Sequence, residues 1–280
     1  MEGRFSVGRL VLALFAGLTV IWLIAPMFIV VPISLTSQAS FQFPPQGWSF
    51  RWYEQFFTNQ KWLSSLGNTL LIGVATVVIA TPIGTVAALA LSKAKGKWVN
   101  AVRGLMLTPM IVPAIIAGAG VYTFFLQTKL IGNILAFTLV HVCLALPMVI
   151  IAVNASLSGY DETLEKAAMS LGANRFTAFL TVTVPIIAPG IAAGAVFAFV
   201  TSFDEIIISQ FMVTPSLQTL PTAMYASVTR DTDPTIAAAA TMILAAVLLG
   251  FVLYRFVAKR SAVSKRNKVA KASVSKQESE

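Results

Sequence analysis

The chain has 280 residues, 57% of them hydrophobic and 11% charged, and a net charge of +9. Soluble domains carry roughly a quarter charged residues, so this composition excludes one and points to a polytopic membrane protein. A single cysteine, Cys143, excludes an internal disulfide, and a single histidine, His141, excludes a His/Cys metal centre.

The first nine residues are basic, and an apolar run covers residues 10–35. That run is too long for a cleavable signal core of about 7–15 residues, so it reads as an uncleaved first span. A spanning helix needs about 20 mostly apolar residues. Six runs qualify, at about 10–35, 66–92, 102–127, 130–156, 184–213 and 235–257. The third and fourth meet near residues 127–129, which predicts a tight hairpin.

Residues 36–63, between the first two spans, are rich in aromatics, and "RWYEQFF" places Trp52 and Phe56 at helical spacing. This predicts a helix at the outer surface, either an aromatic anchor at the lipid interface or a docking surface or lid. With the N-terminus cytoplasmic, 16 of the 20 lysines and arginines fall inside and four outside. Both termini are therefore expected in the cytoplasm, and the basic residues mark topology and not nucleic acid binding. Residues 1–9 form the cytoplasmic N-terminus, 10–258 the membrane domain, and 259–280 a basic tail expected to be disordered. The tail reads as a stop-transfer cluster or a contact for anionic lipid.

Between spans four and five the chain turns polar, in "LEKAAMSLGANRFTAFLTVTVPIIAPG". Asp161 is a predicted helix cap, and Leu164, Ala167, Ala168 and Leu171 fall on one apolar face. Gly172 supplies a left-handed stop, and Asn174 caps a second short helix. Pro185 leads into span five, and Pro189 fits its first turn. Two readings are open: an interfacial loop with its leucines in the bilayer edge, or a docking element on the cytoplasmic face.

The stretch resembles the signature cytoplasmic loop of ABC importer permeases: Glu-Ala-Ala, three residues, Gly, nine residues, Ile-x-Leu-Pro. Here Ala167 and Ala168 precede Gly172 by that spacing, and the motif closes at Pro185. Lys166 stands at the motif's glutamate position, and Glu165 lies one place early. The resemblance implies a coupling helix within 161–181 that fits a cleft on a cytoplasmic ATPase, and the six-span, all-α type I importer permease fold. "SLGNTLLIG", "TPMIVPA" and "SFDEIIISQFMVTPSLQTLPTAMY" resemble the second permease component of the spermidine/putrescine subfamily. The implied partners are a sister permease forming a heterodimer, an ATPase dimer that binds the ATP and magnesium, and a periplasmic substrate-binding protein. The implied location is the bacterial inner membrane. No cofactor, metal or catalytic residue is expected in this chain, which lacks a Gly-x-x-x-x-Gly-Lys-[Ser/Thr] phosphate loop.

Of the eleven acidic residues, Asp204 and Glu205 alone fall within an apolar run. A charged acid at mid-membrane costs about 2.5–3.5 kcal/mol on insertion scales, so the pair needs a purpose. One reading has them line an outward-facing pathway and attract a cation; the other has them pair with the sister subunit or cap a helix break. In the resembled subfamily the positions matching Trp52, Ser202, Asp204 and Glu205 contact substrate. Members of that subfamily often carry an acid where "TPMIVPA" has Met110. That weakens the case for a polyvalent amine and leaves an amino acid, opine or phosphonate open. His141 reads as a packed polar residue. A stand-alone secondary transporter is the remaining rival, although no internal repeat is visible.

Overall fold

A computed structural model of the chain describes residues 7–230 and 233–277. The basic N-terminal segment is thus described only from Val7, and Asp231 and residues 278–280 lie outside the described residues. The described chain is nearly all helix, and it divides into two compact units.

The first unit combines residues 1–59 with 230–280. Helix α1 (Val7–Ser34) packs against the last helix, which also touches α2 (Arg51–Thr58). Between α1 and α2 the chain is held by Ser37 Oγ donating to Gln46 O at 2.7 Å and Ser49 N donating to Leu35 O at 2.7 Å. The predicted aromatic helix is α2. Trp52 and Phe56 form its buried face, while Phe50 and Phe57 remain exposed.

The second unit, residues 60–229, is built on three helices: α3 (Gln60–Lys93), α6 (Ile134–Leu157) and α9 (Val184–Phe203). The buried stripe of α3 is mostly small or hydroxylic: Ser65, Thr69, Gly73, Thr76, Ala80, Gly84 and Ala88, spaced three or four apart. Its bulky Leu71, Val78 and Val86 point outward. Lipid tails are as apolar as leucine, so membrane helices associate through close contact of small residues, which this stripe provides. A Cβ on Gly84 would lie 2.6 Å from Val149 Cγ1 of α6, so only glycine permits that crossing.

Two expected spans are broken. Residues 102–127 are not one straight helix: α4 (Lys97–Ile111) and α5 (Ala114–Gln127) meet at a 95° bend. Val112 is extended because the following Pro113 disfavours the α region for it, and Pro113 itself has no N–H to donate. After the bend α5 packs mainly on α10 (Ile207–Met212), so the predicted tight hairpin with the fourth span is replaced by that pairing. The fifth span ends at Phe203 instead of near 213, and α10 follows as a separate short helix. It also begins early. The short helices α7 (Thr163–Ser170) and α8 (Arg175–Ala178) lead into a single π turn (Phe179–Thr183) that runs straight into α9. Pro189 therefore lies inside α9, not in its first turn.

Helix α11 (Leu220–Arg230) follows a loop pinned to α3, where Asn68 Nδ2 donates to Gln218 O and Leu220 N donates to Thr69 Oγ1. Helix α12 (Thr235–Gln277) continues past residue 258, where a disordered tail was expected. No glycine or proline interrupts residues 251–277, and their alanines, lysines and arginines favour helix.

Candidate functional site

Two places gather the residues singled out by sequence. The first is the element formed by α7 and α8. Gly172 ends α7 with φ +96°, and its N–H donates to Met169 O at 3.0 Å. Asn174 Oδ1 accepts from Thr177 N at 2.8 Å and caps α8, as its position predicted. Asp161 is not the cap of α7. Glu162, one residue on, holds that position, and the Asp161 carboxylate instead accepts from Thr163 N at 2.9 Å. Those bonds from Thr163 hold the Asp161 carboxyl below its usual range.

The predicted apolar face is turned away from the protein. Leu171 is 90% exposed, Phe176 71% and Leu164 48%; Ala167 is exposed and Ala168 half-buried. Lys166, at the motif's acid position, is exposed as well. Glu165 points the other way. Its Oε2 accepts from Thr183 Oγ1 at 3.0 Å, Tyr160 Oη at 3.1 Å and Lys93 Nζ at 3.4 Å. Burial raises the Glu165 pKa, but the Thr183 hydroxyl and the Lys93 charge outweigh it and hold the carboxyl below its ordinary value. Tyr160 is pushed up, chiefly by burial. Pro185 stands at the start of α9 just beyond Thr183.

The second place is the break after α9. Asp204 ends the helix and is exposed. Among the described residues its carboxylate has no hydrogen-bonded partner. Glu205 is half-buried and turned inward. It accepts from Ile208 N at 2.7 Å, Ser209 N at 2.8 Å and Ser209 Oγ at 2.6 Å, capping α10. An acidic side chain that satisfies the first N–H groups of a new helix competes with continuation of the old one, which explains the break.

His141 of α6 lies behind that break, 1% exposed. Its Nδ1 is 2.8 Å from Ser202 Oγ and its Nε2 is 3.2 Å from Ser209 Oγ. Because the Ser209 hydroxyl gives its proton to Glu205, its oxygen accepts from the ring, which places a proton on Nε2. Ser202 Oγ also lies 3.4 Å from Thr76 Oγ1 of α3. The chain thus runs from Thr76 through Ser202, His141 and Ser209 to Glu205, joining four helices, α3, α9, α6 and α10, across the break. Ser209 and Thr76 were not picked out by sequence; the signal available was one histidine in an apolar run with serines on the following span.

The structure brings Ser202, Asp204 and Glu205 together at one helix end, with different environments. Trp52 belongs to the first unit, 3% exposed, and its indole N–H donates to Thr36 O at 2.6 Å. Met110 lies near the end of α4, half exposed.

Comparison with known proteins is consistent with these features. Residues 80–263 match the family described as binding-protein-dependent transport system inner membrane component. The putrescine transport system permease protein PotI of Escherichia coli K12 is 31% identical over 246 residues, covering 85% of this chain and 87% of PotI. The spermidine/putrescine transport system permease protein PotC of the same organism is 28% identical, covering 92% of this chain and 96% of PotC. Among solved structures, a bacterial ABC transporter involved in alginate import aligns over 91% of this chain and 98% of its own, with a TM-score of 0.71 at 17% identity. At that identity the likeness concerns the fold alone.

Proposed function

The chain belongs to the inner-membrane components of binding-protein-dependent transport systems, and from that premise we propose that it passes a small cationic, polyamine-like solute inward, driven by a separate ATPase gripping α7 and α8. It is the permease component of an ABC importer, and it is a multi-pass inner-membrane protein. The observation that carries the proposal is the inner-face element itself. An apolar surface of Leu164, Leu171 and Phe176 is held by a glycine turn and an asparagine cap yet stays exposed among the described residues. Exposed apolar residues rimmed by Lys166, Arg175 and Glu162 suit a protein cleft.

In this reading a sister permease completes the translocation path and a periplasmic binding protein delivers the solute. An ATPase dimer binds ATP and magnesium, so this chain contributes no catalytic group. Both termini lie in the cytoplasm, on the side where the basic residues concentrate. Closure of the ATPase dimer moves α7 and α8, and the spans respond by a two-state rearrangement. Asp204, exposed at the end of α9, attracts the cation, aided by the negative end of the helix dipole. The names of the relatives support a polyamine.

One observation favours the second reading, a different small solute such as an amino acid, opine or phosphonate. Glu205 is committed to α10, and Met110 replaces an acid, so few free carboxylates remain for a polyvalent amine. The test is uptake of labelled putrescine by the complete transporter in proteoliposomes, competed by spermidine and by neutral amino acids. Competition by spermidine alone upholds the first reading. Competition by amino acids alone, or no ATP-dependent putrescine uptake, overturns it.

A further inference from the structure

We infer that Glu165 is a positioning residue, a brace that locks the inner-face helix α7 to the cytoplasmic ends of α3 and α9 so that movement of α7 reaches both spans. This deepens the docking reading of α7 and rests on it. In the related motif an acid stands one position later, where this chain has Lys166. One position on a helix is a rotation of about 100°. The shift therefore carries the acid off the outer side of α7 and onto the side shared with Ala168 and Met169, which are half-buried, whereas Leu164, Lys166, Ala167 and Leu171 are exposed.

On that inner side one carboxylate oxygen meets groups from three other parts of the unit. Lys93 closes α3, Tyr160 follows α6, and Thr183 stands at the entry to α9. Thr183 is fully buried, and its hydroxyl lies 2.7 Å from that of Tyr160, so the two hydroxyls and the carboxylate close a triangle. Among the described residues the Glu165 and Lys93 pair is the one ion pair found. An exposed pair alone adds little, but the Glu165 side chain is only 15% exposed and takes two charge-assisted hydroxyl bonds as well. The outer side of α7 is thereby left to a partner, while the inner side makes α7 move with the spans.

The assembled transporter tests this directly, with Cys143→Ser as background and spin labels at Val86 on α3 and Val196 on α9, both exposed. In the parent, vanadate trapping of the ATPase changes the distance between the labels. In E165A the ATPase subunits still co-purify in full and hydrolyse ATP, but the fraction of molecules showing the distance change falls at least about fivefold. E165Q, which keeps the size and one acceptor, falls by less and guards against misfolding. An unchanged distance response in E165A overturns the brace. So does loss of ATPase co-purification in E165Q, since that places the acid in the partner contact. A parent complex that holds no ATPase overturns the docking reading and the brace with it.

Discussion

His141 and Ser209 meet 3.2 Å apart, joining the fourth span to the short helix beyond the break in the fifth. Ser209 in turn donates to Glu205, so the imidazole holds the capping carboxylate at one remove. In H141A Ser202 and Ser209 each lose one buried hydrogen bond while keeping Thr76 and Glu205, a net loss of about 0.5–1.5 kcal/mol apiece. H141N keeps an amide near the Nδ1 position and H141Q one near Nε2, so each retains about half of the network. Thermal unfolding of the purified complex is expected to rank the parent highest, H141N and H141Q intermediate, and H141A lowest. Equal midpoints for H141A and the parent would show that the network contributes nothing.

The two adjacent acids are expected to fail differently. Asp204 is exposed and has no hydrogen-bonded partner among the described residues, whereas Glu205 accepts three hydrogen bonds. D204N should raise the KM for putrescine uptake at least about tenfold, the loss of roughly 1.4 kcal/mol of charge attraction, with normal complex yield. E205A should lower thermal stability by about 1–2 kcal/mol, the value of a helix cap, and reduce complex yield. A matching KM rise in both variants with no stability change in E205A would return both acids to the solute path.

Local features were legible in the sequence, and pairings over distance were not. Gly172 and Asn174 announce a stop and a cap because each acts on backbone within three residues, and the structure has both. The apolar runs announced where spans lie, because lipid demands length and little else. Run length cannot register a bend, so Val112 and Pro113 passed as part of a straight span although the dipeptide chemistry was visible. The end of span five was half legible: two acids in an apolar run allowed either a pathway role or the cap of a helix break, and the Glu205 carboxylate holds the N–H groups of Ile208 and Ser209 as such a cap does. Partners such as His141 with Ser202, or Lys93 with Glu165, lie 61 and 72 residues apart, and no periodicity encodes them.

Glu165 gives the element formed by α7 and α8 an acid sensitivity of defined sign. Its folded pKa is depressed below the ordinary 4.5, through Thr183, Lys93 and Tyr160 acting against burial. The stabilisation is therefore complete above about pH 4.5 and is lost as pH falls through the lower folded value. Protease nicking at the 161–181 element, followed from pH 6 downward, should accelerate below that point in the parent. In E165Q nicking should be faster throughout and lack this step. A step of equal size in both would assign it to another group, such as the exposed Asp161.

Val149 explains how three spans cross so closely. Its Cγ1 would lie 2.6 Å from a Cβ on Gly84 of α3 and 3.2 Å from one on Gly194 of α9, so the valine occupies the space two glycines leave open. G84A forces that methyl aside in a fully buried cluster, and overpacking of this kind costs about 1–3 kcal/mol. V149A opens a cavity and is also destabilising. Because the added methyl in G84A fills part of the space V149A vacates, the double variant should unfold at a higher temperature than the sum of the single losses implies, with coupling of about 0.5–3 kcal/mol. Strict additivity would mean that α3 and α6 separate on mutation and that the crossing is held elsewhere, by the hydroxyl contact of Thr76 with Ser202 or by the cluster around Glu165.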